Sequence, residues 1–190
     1  DNQLTAPWVM NGGSKPDLIY GAPKFLGSNL QSDEEKKARL SIAPGNYDLC
    51  AAWLIKAAQQ AKSEKSKFAF VLTSSVTKGP QVLPIWDAMS NQDIEIFFAR
   101  TPFKWSQGSI NQSTVSVVTI GCRAKDPANS KPTLYDGSRA DQVDFISPHL
   151  IPNINSLLPN EKHPSSPLMP AMRKGVMPYA TNSLILNVDA

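Results

Sequence analysis

An α/β sheet is the fold class that the order of segments predicts, and three observations carry that prediction. A short apolar run, Leu18-Ile19-Tyr20, stops at Gly21, with Pro23 and Phe25 just beyond it. An Ala-rich stretch with helical periodicity runs from Leu49 toward Lys62, and a nearly all-apolar run, Phe68-Ala69-Phe70-Val71-Leu72, follows it at once. Apolar runs of this length bounded by Gly and Pro read as buried strands ending in tight turns, and strands alternating with helices read as layered α/β units. In open α/β sheets, ligands sit beyond the carboxyl ends of the strands. The floor of a site in this chain therefore falls at residues 21–29.

The elements follow in order. Residues 1–16 are polar and turn-rich and read as a loop leading into the first strand. Ser32 stands three residues before Glu35, a capping-box spacing that predicts a short exposed helix starting near Ser32 and ended by Pro44-Gly45. Asn46 is the expected N-cap of the next helix, with Asp48 in its first turn, where a negative charge suits the helix dipole. Leu49, Ala52, Trp53, Ile55 and Lys56 keep the 3.6-residue period, and Trp53 reads as a residue of the buried helix face. Phe68–Leu72 reads as a strand buried on both faces, closed by the small polar groups Thr73-Ser74-Ser75.

Lys78–Met89 reads as a further helix that accommodates Pro80 in its first turn. Ile94–Phe98 and Val115–Cys122 are β-rich runs separated by a polar loop from Arg100 to Ser113, and they form a final hairpin. Thr133-Leu134-Tyr135 reads as an edge strand and Ser183–Val188 as a closing strand. The segment between Ser147 and Pro178 is punctuated by prolines. The expected division is an α/β domain over residues 1–145 and a loop-rich, proline-rich segment over 146–190.

At 190 residues the chain is the size of one ordinary domain, enough to bury about 70 % of the surface its unfolded state exposes. With 41 % apolar and 18 % charged residues it has the composition of a globular protein. No apolar run reaches the ~18 residues of a membrane span, and no signal-peptide pattern opens the chain. Cys50 and Cys122 fall inside apolar segments without metal-ligand spacing and read as reduced core thiols, which fits a cytoplasmic address. Neither His149 nor His163 has a Cys or carboxylate at ligand spacing, so no metal site is expected, and no Gly-x-Ser-x-Gly elbow supports hydrolysis. The net charge of +3 does not by itself establish a nucleic-acid partner. The first residue is Asp1 rather than Met, which suggests an excised piece.

The ordered segments Gly-x-Pro-x-Phe, "FLGS", "NYDLCAAWLIKAAQ", "FAFVLTSSVTKG", "FFARTPFKWS" and "VSVVTIG" resemble the class I, adenine-specific DNA methyltransferases. The nearest group is the large restriction–modification enzymes of the MmeI kind. The resemblance covers roughly residues 17–150 and implies the second half of a Rossmann-like methyltransferase sheet. It also implies double-stranded DNA as partner, S-adenosylmethionine as cofactor of the full-length family, and a DNA-recognition region beginning within 146–190.

In that family the first turn carries Asn-Pro-Pro-Phe/Tyr. An amide oxygen and a backbone carbonyl accept the hydrogens of the adenine amine, and an aromatic stacks on the flipped base. By resemblance Phe25 matches the stacking aromatic and Pro23 the first proline. Ala22 stands where the amide belongs and Lys24 where the second proline belongs. Ala22 cannot accept a hydrogen bond from the amine, and Lys24 brings a cation to the site.

The family's cofactor half, a Gly-rich turn after one strand and an acidic residue after the next, has no counterpart here. Gly12-Gly13 is not preceded by an apolar strand. The expectation is a fragment that binds no cofactor and does not methylate alone, or a non-catalytic DNA-binding or interaction module. A homo-oligomer could cover the sheet edge left without its missing half.

On the residues alone, Phe25 reads either as a plug of the sheet's carboxyl edge or as a base-stacking ring, and Lys24 as a solvated loop lysine. Asp17 reads as a turn residue. Trp105, with Arg100 and Lys104 interleaved, reads either as a DNA contact or as a loop tryptophan folded on the core.

Overall fold

The computed structural model describes residues 3–9, 13–64, 66–105 and 115–154, all within the first of two compact units, Asp1–Leu158 and Pro159–Ala190. Strands β1 (Leu18–Gly21), β2 (Lys67–Thr73), β3 (Ile94–Trp105), β4 (Val115–Ala124), β5 (Thr133–Asp136) and β6 (Arg139–Gln142) form one mixed sheet in the order β1-β2-β4-β3-β5-β6. Between the strands come helices α1 (Asp33–Ile42), α2 (Leu49–Glu64) and α3 (Val82–Ser90). The α/β class is as the sequence indicates. The expected Ser183–Val188 strand lies outside the described residues.

The capping box forms as its spacing requires. The Ser32 hydroxyl accepts from the Glu35 amide, and Glu35 reaches back to the Ser32 amide, so α1 starts at Asp33. Helix α2 does not start beside Asn46. Residues 46–48 are held as a strap: the Leu49 amide donates to the Leu26 carbonyl and the Asp48 amide to Gln81 Oε1, so helical bonding begins at Leu49. Residues 79–81 form a separate 3-10 turn, and α3 begins at Val82. Pro84 then falls in the first turn of α3, where backbone amides have no intrahelical acceptor to lose.

Strand β2 is asymmetric rather than buried alike on both faces. Phe68, Phe70 and Leu72 are buried, whereas Ala69, Val71 and Thr73 are half-buried. The buried set shares a core with α2, α3 and with Ile94, Ile96, Ala99, Val118, Ile120 and Cys122 of the next two strands. Each such large side chain removed from water contributes about 1.5–3 kcal/mol. Ile146 and Leu150 join the same core.

Strand β3 continues seven residues beyond Phe98, so Arg100, Lys104 and Trp105 are strand residues rather than members of a loop. Pro102 is accommodated because the register with β4 shifts between Arg100 and Phe103, where a missing amide costs no ladder bond. Thr133-Leu134-Tyr135 is an inner strand, not an edge: β5 pairs in parallel with β3 and antiparallel with β6. Asp136 and Arg139 close that hairpin around Gly137, whose φ of 57° suits glycine in a tight reversal.

Strands β3 and β4 approach closely at Gly121, where an added Cβ would stand 2.1 Å from Phe98 Cε1. Gly121→Ala forces that ring out of place and should cost about 1–3 kcal/mol. The expected result is a lower urea midpoint with an unchanged slope, and an unchanged midpoint would contradict the packing described.

Candidate functional site at the carboxyl edge of the sheet

Registers place three stretches at one end of the sheet. Strand β1 runs parallel to β2, which ends at Thr73 opposite Val117 of the antiparallel β4. Strand β3 runs antiparallel to β4 and ends with Trp105 opposite Val115. The carboxyl ends of β1, β2 and β3 therefore share one edge. They bring together the turn Ala22–Phe25, the stretch Thr73-Ser74-Ser75, and Arg100–Trp105.

The turn emerges from Gly21 with Ala22 and Lys24 exposed and Pro23 half-buried. Phe25 is half-buried and packs against the core, so part of its ring forms the plug that the sequence allowed. Lys24 is not simply solvated. Its Nζ lies 2.8 Å from Glu35 Oε1, while Glu35 Oε2 accepts from the Ser32 amide. The hydrogen bond from Lys24, followed by that from the Ser32 backbone, lowers the pKa of Glu35. The capping carboxylate of α1 thus also holds the cation of the turn.

At the end of β2, the hydroxyls of Thr73 and Ser75 each donate to Asp48 Oδ2 at 2.6 Å and lie 2.7 Å from each other. Cys50 Sγ sits 3.5 Å from Thr73 Oγ1, and burial pushes the Cys50 thiol up to about 11, so it remains a protonated core group. Burial raises the Cys122 thiol further, and both cysteines are free. Asp48 was legible only as a first-turn acid. Its role as acceptor for two hydroxyls 25 and 27 residues away left no local signal.

On β3, the Arg100 guanidinium lies 4.8 Å over the Phe103 ring, and Phe103 meets Trp105 edge-on at 6.5 Å. Arg100, Phe103 and Trp105 form one line. Lys104 alternates with Phe103 and Trp105 and therefore stands on the opposite face. The structure joins Arg100 to Trp105 through Phe103, which the sequence offers only as part of the run Phe103-Lys104-Trp105, and separates Lys104 from them.

Beside β1 lies an open groove of about 830 Å³, walled by Trp8, Ile19, Pro23, Trp53 and Phe70 among others. Trp8 stacks on Trp53 at 5.3 Å, which makes Trp53 a groove wall as well as a core-facing residue. Leu18 and Tyr20 of β1 are 52 % and 77 % exposed, large side chains left open on a strand at the end of the sheet order. Among the described residues β1 pairs only with β2. No group of His, Cys, Asp and Glu among the described residues could hold a metal ion, and no helix there is long and apolar enough to cross a membrane.

Residues 2–136 match the family model of the MmeI DNA-methyltransferase domain. The chain is 34 % identical over 181 residues to DNA methyltransferase A of Bacillus subtilis (strain 168), covering 93 % of this chain and 20 % of that protein. It superimposes with a TM-score of 0.73 and 29 % identity on the type IIL restriction–modification enzyme MmeI solved in complex with DNA, over 80 % of this chain and 22 % of that one. The chain thus spans about a fifth of the length of the relatives it matches. The match with the family model takes in the turn, both strand ends and the β3–β4 hairpin that build the edge. The chain therefore belongs to the family of MmeI DNA-methyltransferase domains.

Proposed function

We propose that this chain is the base-binding half of a DNA adenine-N6 methyltransferase domain in a restriction–modification protein, and that it does not methylate alone. The observation that carries the reading is the shared edge: the turn 22–25, the polar end of β2 and the Arg100–Trp105 line meet there. Phe25 would supply a ring face for a flipped base, and the backbone of the Pro23 turn a carbonyl acceptor for its amine. Ala22 offers no second acceptor. Lys24, although held by Glu35, keeps a cation beside the amine on which positive charge develops. Restoring the acceptor and the proline in the full-length parent tests this reading through methyl transfer to DNA.

Membership of the family implies S-adenosylmethionine as methyl donor of full-length members. The residues present here do not fit that group. The groove beside β1 is lined mostly by apolar side chains, with Gln3 and Lys24 among its few polar ones, and among the described residues no Asp or Glu lines it to hold a ribose diol. A lysine ammonium also opposes a sulfonium.

The edge of β1 that no described residue pairs, with Leu18 and Tyr20 exposed, is where we place the remainder of the parent's sheet. In the isolated chain a second copy would take that place. Sedimentation at rising concentration should then show association, and a concentration-independent monomer would remove the second copy. Two buried free thiols accord with a cytoplasmic setting, where we place the parent.

A second reading, a non-catalytic DNA-binding or interaction module, is favoured by one specific feature, the Arg100–Phe103–Trp105 line. It needs neither cofactor nor an intact turn. Duplex binding that persists without any methyl transfer by the turn-restored parent would select it.

A further inference from the structure

Beneath the turn lies a buried polar cluster that neither the fold nor the proposed chemistry requires. Gln31 and Arg39 are 3 % and 5 % exposed. Arg39 Nε donates to Gln31 Oε1 at 2.8 Å, and the Arg39 guanidinium also donates to the Gly45 carbonyl and lies 4.9 Å over the Tyr47 ring. With its oxygen held in this way, Gln31 Nε2 points both hydrogens at carbonyls, Leu26 O and Tyr47 O, each at 3.1 Å. The Leu26 carbonyl also accepts from the Leu49 amide at 2.9 Å. Burial raises the pKa of Tyr47, so its hydroxyl stays a donor, to the Ala43 carbonyl at 2.6 Å.

Among the described residues no carboxylate pairs with Arg39. Burying a guanidinium without a counter-charge is costly, and an apolar cluster of equal volume would be at least as stable. What the cluster does supply is position. It fixes the orientation of the Gln31 amide, which would otherwise be free to flip. It thereby ties the residue directly after Phe25 to the start of α2.

We propose that Gln31 and Arg39 are positioning residues, which hold the 22–26 turn in register with the polar end of β2 so that Phe25 presents a fixed ring face. This rests on the reading of that turn as the base-binding element. The two are separable, because the position of the turn can be read without catalysis.

The test uses Gln31→Glu and Arg39→Met. Gln31→Glu leaves Arg39 a partner, removes the two donors to Leu26 and Tyr47, and turns a carboxylate oxygen toward their carbonyls. Amide hydrogen exchange of the 190-residue chain should accelerate by roughly 3- to 10-fold in the peptide spanning 21–31, the loss expected for a hydrogen bond, and not in α2 or β2. In the parent carrying the restored turn, both variants should lower kcat by roughly 10- to 100-fold with little change in KM for DNA. Unchanged exchange over 21–31, or equal acceleration everywhere, overturns the proposal. If the restored parent fails to methylate even with Gln31 and Arg39 intact, the reading of the function fails, and the exchange experiment still decides the positioning role.

Discussion

Ala22→Asn combined with Lys24→Pro in the full-length parent should raise methyl transfer to DNA by about two to three orders of magnitude, the scale of one preorganised acceptor or donor gained at a reacting centre. The adenine amine is a poor nucleophile because its lone pair is delocalised into the ring. Acceptors for both of its hydrogens favour the pyramidal form that attacks. Ala22 lies exposed in the turn directly after β1, so an amide placed there meets no core packing. Proline at 24 stiffens the turn and removes a cation from the place where positive charge develops. The exchange also removes the ion pair with Glu35, in which the lysine side chain is 63 % exposed, and solvent screens such an exposed pair so that it contributes little. The fold should therefore survive it. The assay is transfer of labelled methyl groups to unmethylated genomic DNA. No gain from the double substitution would refute this account of the turn.

The second large effect concerns DNA. Lys and Arg side chains that neutralise phosphates release counterions. Removing one such side chain therefore lowers the salt slope of binding by about one and weakens affinity alike on all sequences. Arg100→Ala should reduce the slope by about one and affinity by roughly tenfold at low salt. Lys104→Ala should do less, since Lys104 stands on the opposite face of β3 from the Arg100–Phe103–Trp105 line. Titration of a labelled duplex over a range of salt concentrations separates the two. Equal effects would mean that the strand face does not decide which side chain meets the phosphates. No effect of Arg100→Ala would remove the line from the DNA interface.

Local signals were legible where they were self-contained. Gly21 and Pro23 marked the end of β1, and the spacing of Ser32 and Glu35 marked the first turn of α1, because each is decided within a few residues. The start of α2 was not legible in that way. Asn46 and Asp48 are both ordinary capping residues, and the bonds that the Leu49 and Asp48 amides donate to the Leu26 carbonyl and to Gln81 Oε1 select neither as the sequence suggested.

The length of β3 was hidden by Arg100, Thr101 and Pro102, which break the apolar pattern while a register shift absorbs them. Strand β6 carries almost no apolar residues and is defined by its hairpin partner. The edge of the sheet as a meeting place was legible once the strands were ordered. The Gln31–Arg39–Tyr47 cluster and the Asp48 hydroxyl network were not, since their members are joined only by the fold.

On the function proposed above, this chain carries the base-binding side of a methyltransferase sheet without its cofactor side. Calorimetric titration of the 190-residue chain with S-adenosylmethionine tests it most directly. No saturable heat is expected, because among the described residues the groove beside β1 offers no carboxylate for a ribose and places a lysine at its rim. Saturable binding would contradict the account and return a complete cofactor site, and with it an active enzyme, to this chain.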